Sequence, residues 1–199
     1  MKLTLPVLLT LAFATTGFGQ SAEFWIGGGQ SLMSNNGIGT SSAFGGAADD
    51  IKLTDGFRIN FRMTFNQGNY FGHEVGYAYS RTQLRYDNQS PAVEQGMAIH
   101  QGFYDFLLYA TKEGSRIRPF AAGGVQFSNF VPPGQSAAQG GGQTKFGINY
   151  GAGVKMKLTS KWGLRLDFRQ YNSGKPFDLP LATGRLRQNE ISASFGLLL

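Results

Sequence analysis

Phe57-Arg58-Ile59-Asn60-Phe61-Arg62-Met63-Thr64-Phe65 alternates without a break, five apolar side chains at odd positions against four polar ones at even positions. A helix with 3.6 residues per turn would spread these residues over every face, whereas a strand sends successive side chains to opposite sides and sorts them completely. The same period of two sets Phe71, Val75, Tyr77 and Tyr79 against Gly72, Glu74, Gly76, Ala78 and Ser80. It returns as Phe146, Ile148, Tyr150, Ala152, Val154 and Met156 against Gly147, Asn149, Gly151, Gly153 and Lys155. Trp162, Leu164, Leu166 and Phe168 oppose Gly163, Arg165, Asp167 and Arg169, and Ile191, Ala193, Phe195 and Leu197 oppose Glu190, Ser192, Ser194 and Gly196.

These are five strands. Three more are expected over 23–32, 97–111 and 118–129, with their phase left open. The second of these carries apolar residues on both parities around Asp105, which admits a bulge. Long polar connections rich in Gly and Ser fall at 33–55, 85–96, 130–144 and 172–187, and short ones at 67–69, 112–116 and 159–161. Alternating lengths of this kind predict an all-β fold, an eight-stranded antiparallel up-and-down barrel with four long loops at one end. The three short turns and both termini then share the other end.

The turns suggest registers. If Phe65 sits opposite Phe71, then Phe61 faces Val75, Ile59 faces Tyr77, Phe57 faces Tyr79, and Arg62 meets Glu74 on the other face. A second hairpin, pairing Leu158 with Trp162, puts Met156 by Leu164 and Val154 by Leu166. It also sets Lys155 beside Arg165, within diagonal reach of Asp167.

Alternation alone does not say which face points outward, since a soluble barrel has the same period. The polar face decides. Arg, Glu, Asp, Lys and Asn interleaved with glycine suit a narrow enclosed lumen in which opposite charges pair. The apolar face then meets lipid and the chain is a transmembrane β-barrel, whose strands persist in hydrocarbon only if closure pairs every backbone group. Phe65, Phe71, Tyr109 and Trp162 toward the turns, and Phe57, Tyr79, Phe127 and Phe146 toward the loops, are expected to form the two interfacial belts.

Composition agrees with this. The 199 residues include 29 glycines, are 14% aromatic and only 15% charged, and contain no cysteine, so no disulfide or thiolate chemistry is available. The +6 formal charge is carried by scattered basic residues, which argues against nucleic acid as a partner. Lys2, the apolar run 3–14 and the small residues before Gln20 are expected to be a signal peptide over 1–19, the run being shorter than the ~20 residues of a spanning helix. Residues 20–199 are then one barrel domain.

KFGINYGAGVKMKLTSKWGLRLDFRQY, from Lys145 to Tyr171, resembles the sixth and seventh strands of the OmpA/OmpX-like outer membrane protein β-barrel family. RPFAAGGVQF, from Arg118 to Phe127, resembles its fifth. The resemblance implies a bacterial outer-membrane location, a packed interior and folding by the outer-membrane assembly machinery. Such barrels usually end in an aromatic residue, from which the ending Phe195-Gly196-Leu197-Leu198-Leu199 departs. The peptidoglycan-binding domain that some relatives add is not expected after it.

The candidate site is an interior ion-pair network of Arg58, Arg62, Glu74, Lys155, Arg165, Asp167, Arg169 and Glu190, each carboxylate expected between cations. Arg85, Lys145, Lys175, Arg185 and Arg187, at the loop rim, are candidates to contact lipopolysaccharide phosphates. No catalytic residue, cofactor or metal site is expected. The reading is a monomer with a structural or surface-interaction role, long loops outside the cell and termini in the periplasm. A narrow passive channel for small solutes stays open as the alternative. A lipid-modifying barrel enzyme is the third reading, for which only His73 and His100 are available, neither followed by Ser two residues on.

Overall fold

The computed structural model describes residues 21–40 and 50–199, so the expected signal peptide lies outside the described residues. Eight long strands close on themselves: β1 (Ser21–Ser34), β4 (Gly56–Gln67), β5 (Phe71–Tyr86), β6 (Val93–Tyr109), β7 (Ile117–Val131), β8 (Gln143–Lys157), β9 (Trp162–Gly174) and β10 (Arg185–Leu198). Each pairs antiparallel with its neighbour in the chain, and β1 pairs with β10 to shut the cylinder. Two short strands, β2 (Gly37–Gly39) and β3 (Ile51–Leu53), lie in the first long connection, β3 extending the ladder along β5 above the end of β4.

The apolar parity faces out. Phe57, Phe61, Val75, Leu166, Phe168 and Phe195 are exposed, Phe146 as much as 79%, while Arg58, Glu74, Arg165 and Arg169 are 0% exposed. Inversion of the usual soluble pattern is what a closed sheet in hydrocarbon requires. The strands of open phase fall in line: Glu23 and Trp25 point inward with Phe24 and Ile26 outward, and Arg118, Phe120 and Gln126 point inward with Val125 and Phe127 outward.

The structure corrects four expectations. The β4–β5 register lies two residues from the expected one, Phe61 opposite Tyr77 and Phe65 opposite His73, because Gly68, at φ +64°, turns the chain over residues 68–70 and brings Gln67 opposite Phe71. An even shift keeps every side chain on its face. Tyr109, expected in the turn-side belt, is buried inside. β6 has no bulge: it pairs in one constant register with both neighbours, and its inward parity carries Phe103, Leu107 and Tyr109 besides Gln101 and Asp105. Phe103 and Tyr109 pass inside because their rings take up the faces of interior cations, and Leu107 packs with Tyr109 and Phe120.

The expected connection at 85–96 is mostly ladder. β5 and β6 stay paired out to Tyr86 opposite Val93, leaving 87–92 as the turn. Since about 9–11 residues of tilted strand cross the hydrocarbon, the 17 residues of β6 carry this hairpin well beyond it. The β8–β9 hairpin matches its expected register, Met156 opposite Leu164, Val154 opposite Leu166 and Lys155 opposite Arg165.

Candidate functional site

Strict alternation on β9 puts Arg165, Asp167 and Arg169 on one interior row, two residues apart. Arg165 Nε donates to Asp167 Oδ2 at 2.7 Å, and Arg169 Nε lies 3.3 Å from Asp167 Oδ1. From the opposite wall Glu74 enters this row. It ion-pairs with Arg165, accepts from Arg169 Nη2 at 2.9 Å and from Arg62 Nη1 at 3.2 Å, and takes the hydroxyl of Thr64 at 2.9 Å. A buried carboxylate needs such saturation, because each uncompensated lone pair in a water-poor interior is costly.

Toward the loops, Glu190 accepts from Arg62 Nη2 at 2.7 Å, Tyr171 Oη at 2.9 Å and Asn60 Nδ2 at 3.1 Å. Arg58 Nε stands 2.9 Å from Glu190 Oε2, at ion-pair distance though off the hydrogen-bond line, and its guanidinium lies 4.6 Å from the Tyr171 ring centre. Toward the turns, Lys155 pairs with Glu23 and donates to Tyr109 Oη at 2.9 Å. Its ammonium is 5.2 to 5.8 Å from the rings of Tyr109, Trp25 and Phe120. Glu23 is completed by Trp25 Nε1 at 3.0 Å and Asn66 Nδ2 at 2.8 Å.

All eight residues proposed from the sequence therefore come together in one stacked interior. Glu23 and Asp105, the latter paired with Arg169 and accepting from Asn149 Nδ2 at 2.7 Å, belong to it as well. Asp105 shares parity with Gln101, a signal obscured by its apolar neighbours, and Glu23 waited on the phase of β1. The aromatic partners Trp25, Phe103, Phe120 and Tyr171 had no signal in the alternation, since a cation-facing ring and a lipid-facing ring are the same residue type.

Above the ion pairs the interior changes character. Met33, Ile38, Leu53, Leu84, Met97, Ile99, Phe130 and Leu186 form one buried apolar cluster at the loop end, with Phe177 and Leu179 packed on it from the last loop.

The rim cations divide. Arg85 pairs with Asp87, Lys145 with Asp178 at 2.6 Å, and Lys175 is buried. Arg185 and Arg187 stand exposed on the outward parity of β10. The two histidines sit on the outer wall, His73 Nδ1 2.8 Å from Tyr104 Oη and His100 Nδ1 2.6 Å from Tyr77 Oη. Among the described residues, neither is hydrogen-bonded to a serine or a carboxylate.

Three solved structures share this architecture. Neisserial surface protein A matches at TM-score 0.58 and 17% identity, over 90% of this chain and 96% of its own. OprG from Pseudomonas aeruginosa matches at 0.60 and 13%, over 92% and 98%. Ail, the attachment invasion locus protein of Yersinia pestis, solved with the heparin analogue sucrose octasulfate, matches at 0.50 and 12%, over 89% and 98%. At these identities the likeness is one of fold. No curated protein matches the sequence. The outer membrane protein beta-barrel domain pattern matches residues 5–197, and with its outward apolar wall and enclosed ion pairs the chain belongs to that family of bacterial outer-membrane barrels.

Proposed function

We propose that this protein is a non-catalytic outer-membrane barrel whose interior is a fixed structural fill and whose role is carried out by the sheet and loops held at its loop end, on the cell surface. Both termini then lie in the periplasm. One observation carries this reading: the Lys155 layer, the Glu74 and Glu190 layers and the apolar cap follow one another along the lumen, each packed against the strands around it. A conducting path would have to break several buried ion pairs and part an apolar cluster at the same time, and opening either is costly. Adhesion or recognition through the loops, and a contribution to envelope integrity, follow from a rigid scaffold presenting variable connections. With the loop end outward, the exposed Arg185 and Arg187 would meet lipopolysaccharide phosphates, while Arg85 and Lys145 are already engaged by carboxylates.

The test is electrical. Purified protein inserted in a planar bilayer is expected to leave the baseline conductance unchanged, and reproducible open steps would replace this reading with the narrow passive channel. Fatty acid released from phospholipid or lipopolysaccharide would replace it with an enzyme. Protease added to intact cells should cut within 132–142; cutting only after the outer membrane is broken would reverse the orientation.

A further inference from the structure

Arg118 and Lys155 stand directly opposite each other on β7 and β8, both turned into the lumen and each 5% exposed. Like charges so placed repel, the more so in a water-poor interior. One buried carboxylate, Glu23, lies with them among the described residues, and Lys155 takes it. Arg118 makes no ion pair among the described residues. Its guanidinium lies 3.5 Å from the Tyr109 ring centre, Nη2 donates to Asn69 O at 3.0 Å, and Nε is buried without a hydrogen-bond partner. Lys155 donates to Glu23 and to Tyr109 Oη, which leaves the third N–H of its ammonium uncommitted. An orphaned buried donor beside an uncompensated charge calls for an anionic partner.

Both side chains line a cavity of about 200 Å³ at the turn end of the barrel. Trp25, Met156 and Leu198 give it apolar wall, and Lys157 adds a third cation. Its other carboxylate, Glu113, is held by the Ser21 hydroxyl and pairs with none of these cations. An apolar cavity of roughly 150 Å³ accepts a benzene, so this one has room for a single ring or a branched aliphatic body with a charged group attached. A phosphate would carry several oxygens against the apolar wall, where they would go unsatisfied. A carboxylate presents two, both to the cations, in charge-assisted hydrogen bonds. Neither Glu74 nor Glu190 lines the cavity, so an occupant leaves their ion pairs in place.

We propose that the turn-end cavity is a binding site for a small organic monocarboxylate with a compact apolar body. Arg118 and Lys155 hold the carboxylate, and the body lies against Trp25, Met156 and Leu198. On the orientation given above the site faces the periplasm, but binding by purified protein does not depend on that.

The probe is benzoate, titrated into the full barrel in lipid nanodiscs while the two indole N–H signals are followed by NMR. Trp25 Nε1 donates to Glu23 beside the cavity, whereas Trp162 is exposed on the outer face. Benzoate should therefore shift the Trp25 signal saturably and leave that of Trp162 in place. Benzyl alcohol, which keeps the ring and lacks the charge, acetate, which keeps the charge and lacks the ring, and inorganic phosphate should each bind about tenfold or more weakly. Arg118→Met breaks no ion pair and should fold, with benzoate affinity lowered by about tenfold or more, and Arg118→Lys should lose less. No saturation at millimolar benzoate, equal binding of benzyl alcohol, tighter binding of phosphate, or full affinity in Arg118→Met would each overturn the proposal. The comparison of benzoate with benzyl alcohol uses the unaltered protein, so it decides even where Arg118→Met does not fold. Since none of these readouts involves conductance or cell-surface cleavage, failure here is separable from failure of the structural reading above.

Discussion

Phe103 lies across Gly76, its partner on the neighbouring strand, so closely that a Cβ on the glycine would stand 2.2 Å from Phe103 Cζ. The Arg62 guanidinium lies over the same ring, 4.8 Å from its centre. Glycine here is a space reserved for an aromatic ring that supports an interior cation. Gly76→Ala should lower stability by about 1–3 kcal/mol through overpacking. Gly123→Ala, where the nearest atom to a new Cβ is 3.8 Å away, should change it little. Thermal unfolding in detergent, read by gel mobility of heated samples, compares the two.

Among the described residues Glu190 is the sole carboxylate partner of Arg58, whereas the arginines around Glu74 each keep another, Asp167, Asp105 or Glu190. Removing one member of a buried pair costs about 3–5 kcal/mol. Glu74→Gln should fall at the lower end of that range and Glu190→Gln at the upper, a ranking denaturant unfolding in detergent would measure. Equal stability of wild type and Glu74→Gln would deny Glu74 its central place.

Lys155 and Glu23 are a nearly isolated pair at the turn end. Lys155→Met alone and Glu23→Gln alone should each destabilise the barrel, while the double variant should recover part of the loss, because the desolvation of both charges disappears with them. Additive losses in the double-mutant cycle would mean the pair is not coupled.

Trp25 and Trp162, the two tryptophans of the chain, sit on opposite sides of the wall, Trp25 buried in the lumen and Trp162 exposed on the outer face beside Phe195. Lipids brominated on their acyl chains should quench the fluorescence of Trp25→Phe, which retains Trp162. They should leave that of Trp162→Phe largely unquenched. The reverse result would turn the barrel inside out.

In the last loop, hydrogen bonds from Lys145 and Gln143 hold the Asp178 carboxyl below its ordinary value of 3.8. A carboxylate depressed in the folded state contributes stability that is fully present above 3.8 and is lost as the pH falls through its lower, folded value. The tether of this loop to β8 should therefore hold at neutral pH and loosen only in strong acid. Carbon NMR titration of Asp178 should place its midpoint below 3.8 in wild type and higher in Lys145→Met.

Much of this was legible in the chain because a strand has one period and a barrel has two faces. Arg165, Asp167 and Arg169 needed only their parity to be placed inside, and Leu158 and Trp162 needed only a short turn to fix their hairpin. Phe65 and Phe71 were set two residues out of register because the position of the turn depends on where Gly68 takes a positive φ, which alternation does not record. Tyr109, Phe103 and Trp25 gave no warning of pointing inward, since an aromatic ring suits both lipid and the face of a guanidinium.

The sequence by itself determined the eight strands, the sorting of five of them into two faces and eight of the charges that would be enclosed, all consequences of local backbone geometry and side-chain polarity. Only the tertiary structure decided which carboxylate meets which cation, that an apolar cap closes the loop end, and that β6 outruns β7. Those depend on shear and register around a closed cylinder, where residues far apart in sequence become neighbours only after every strand has found its place.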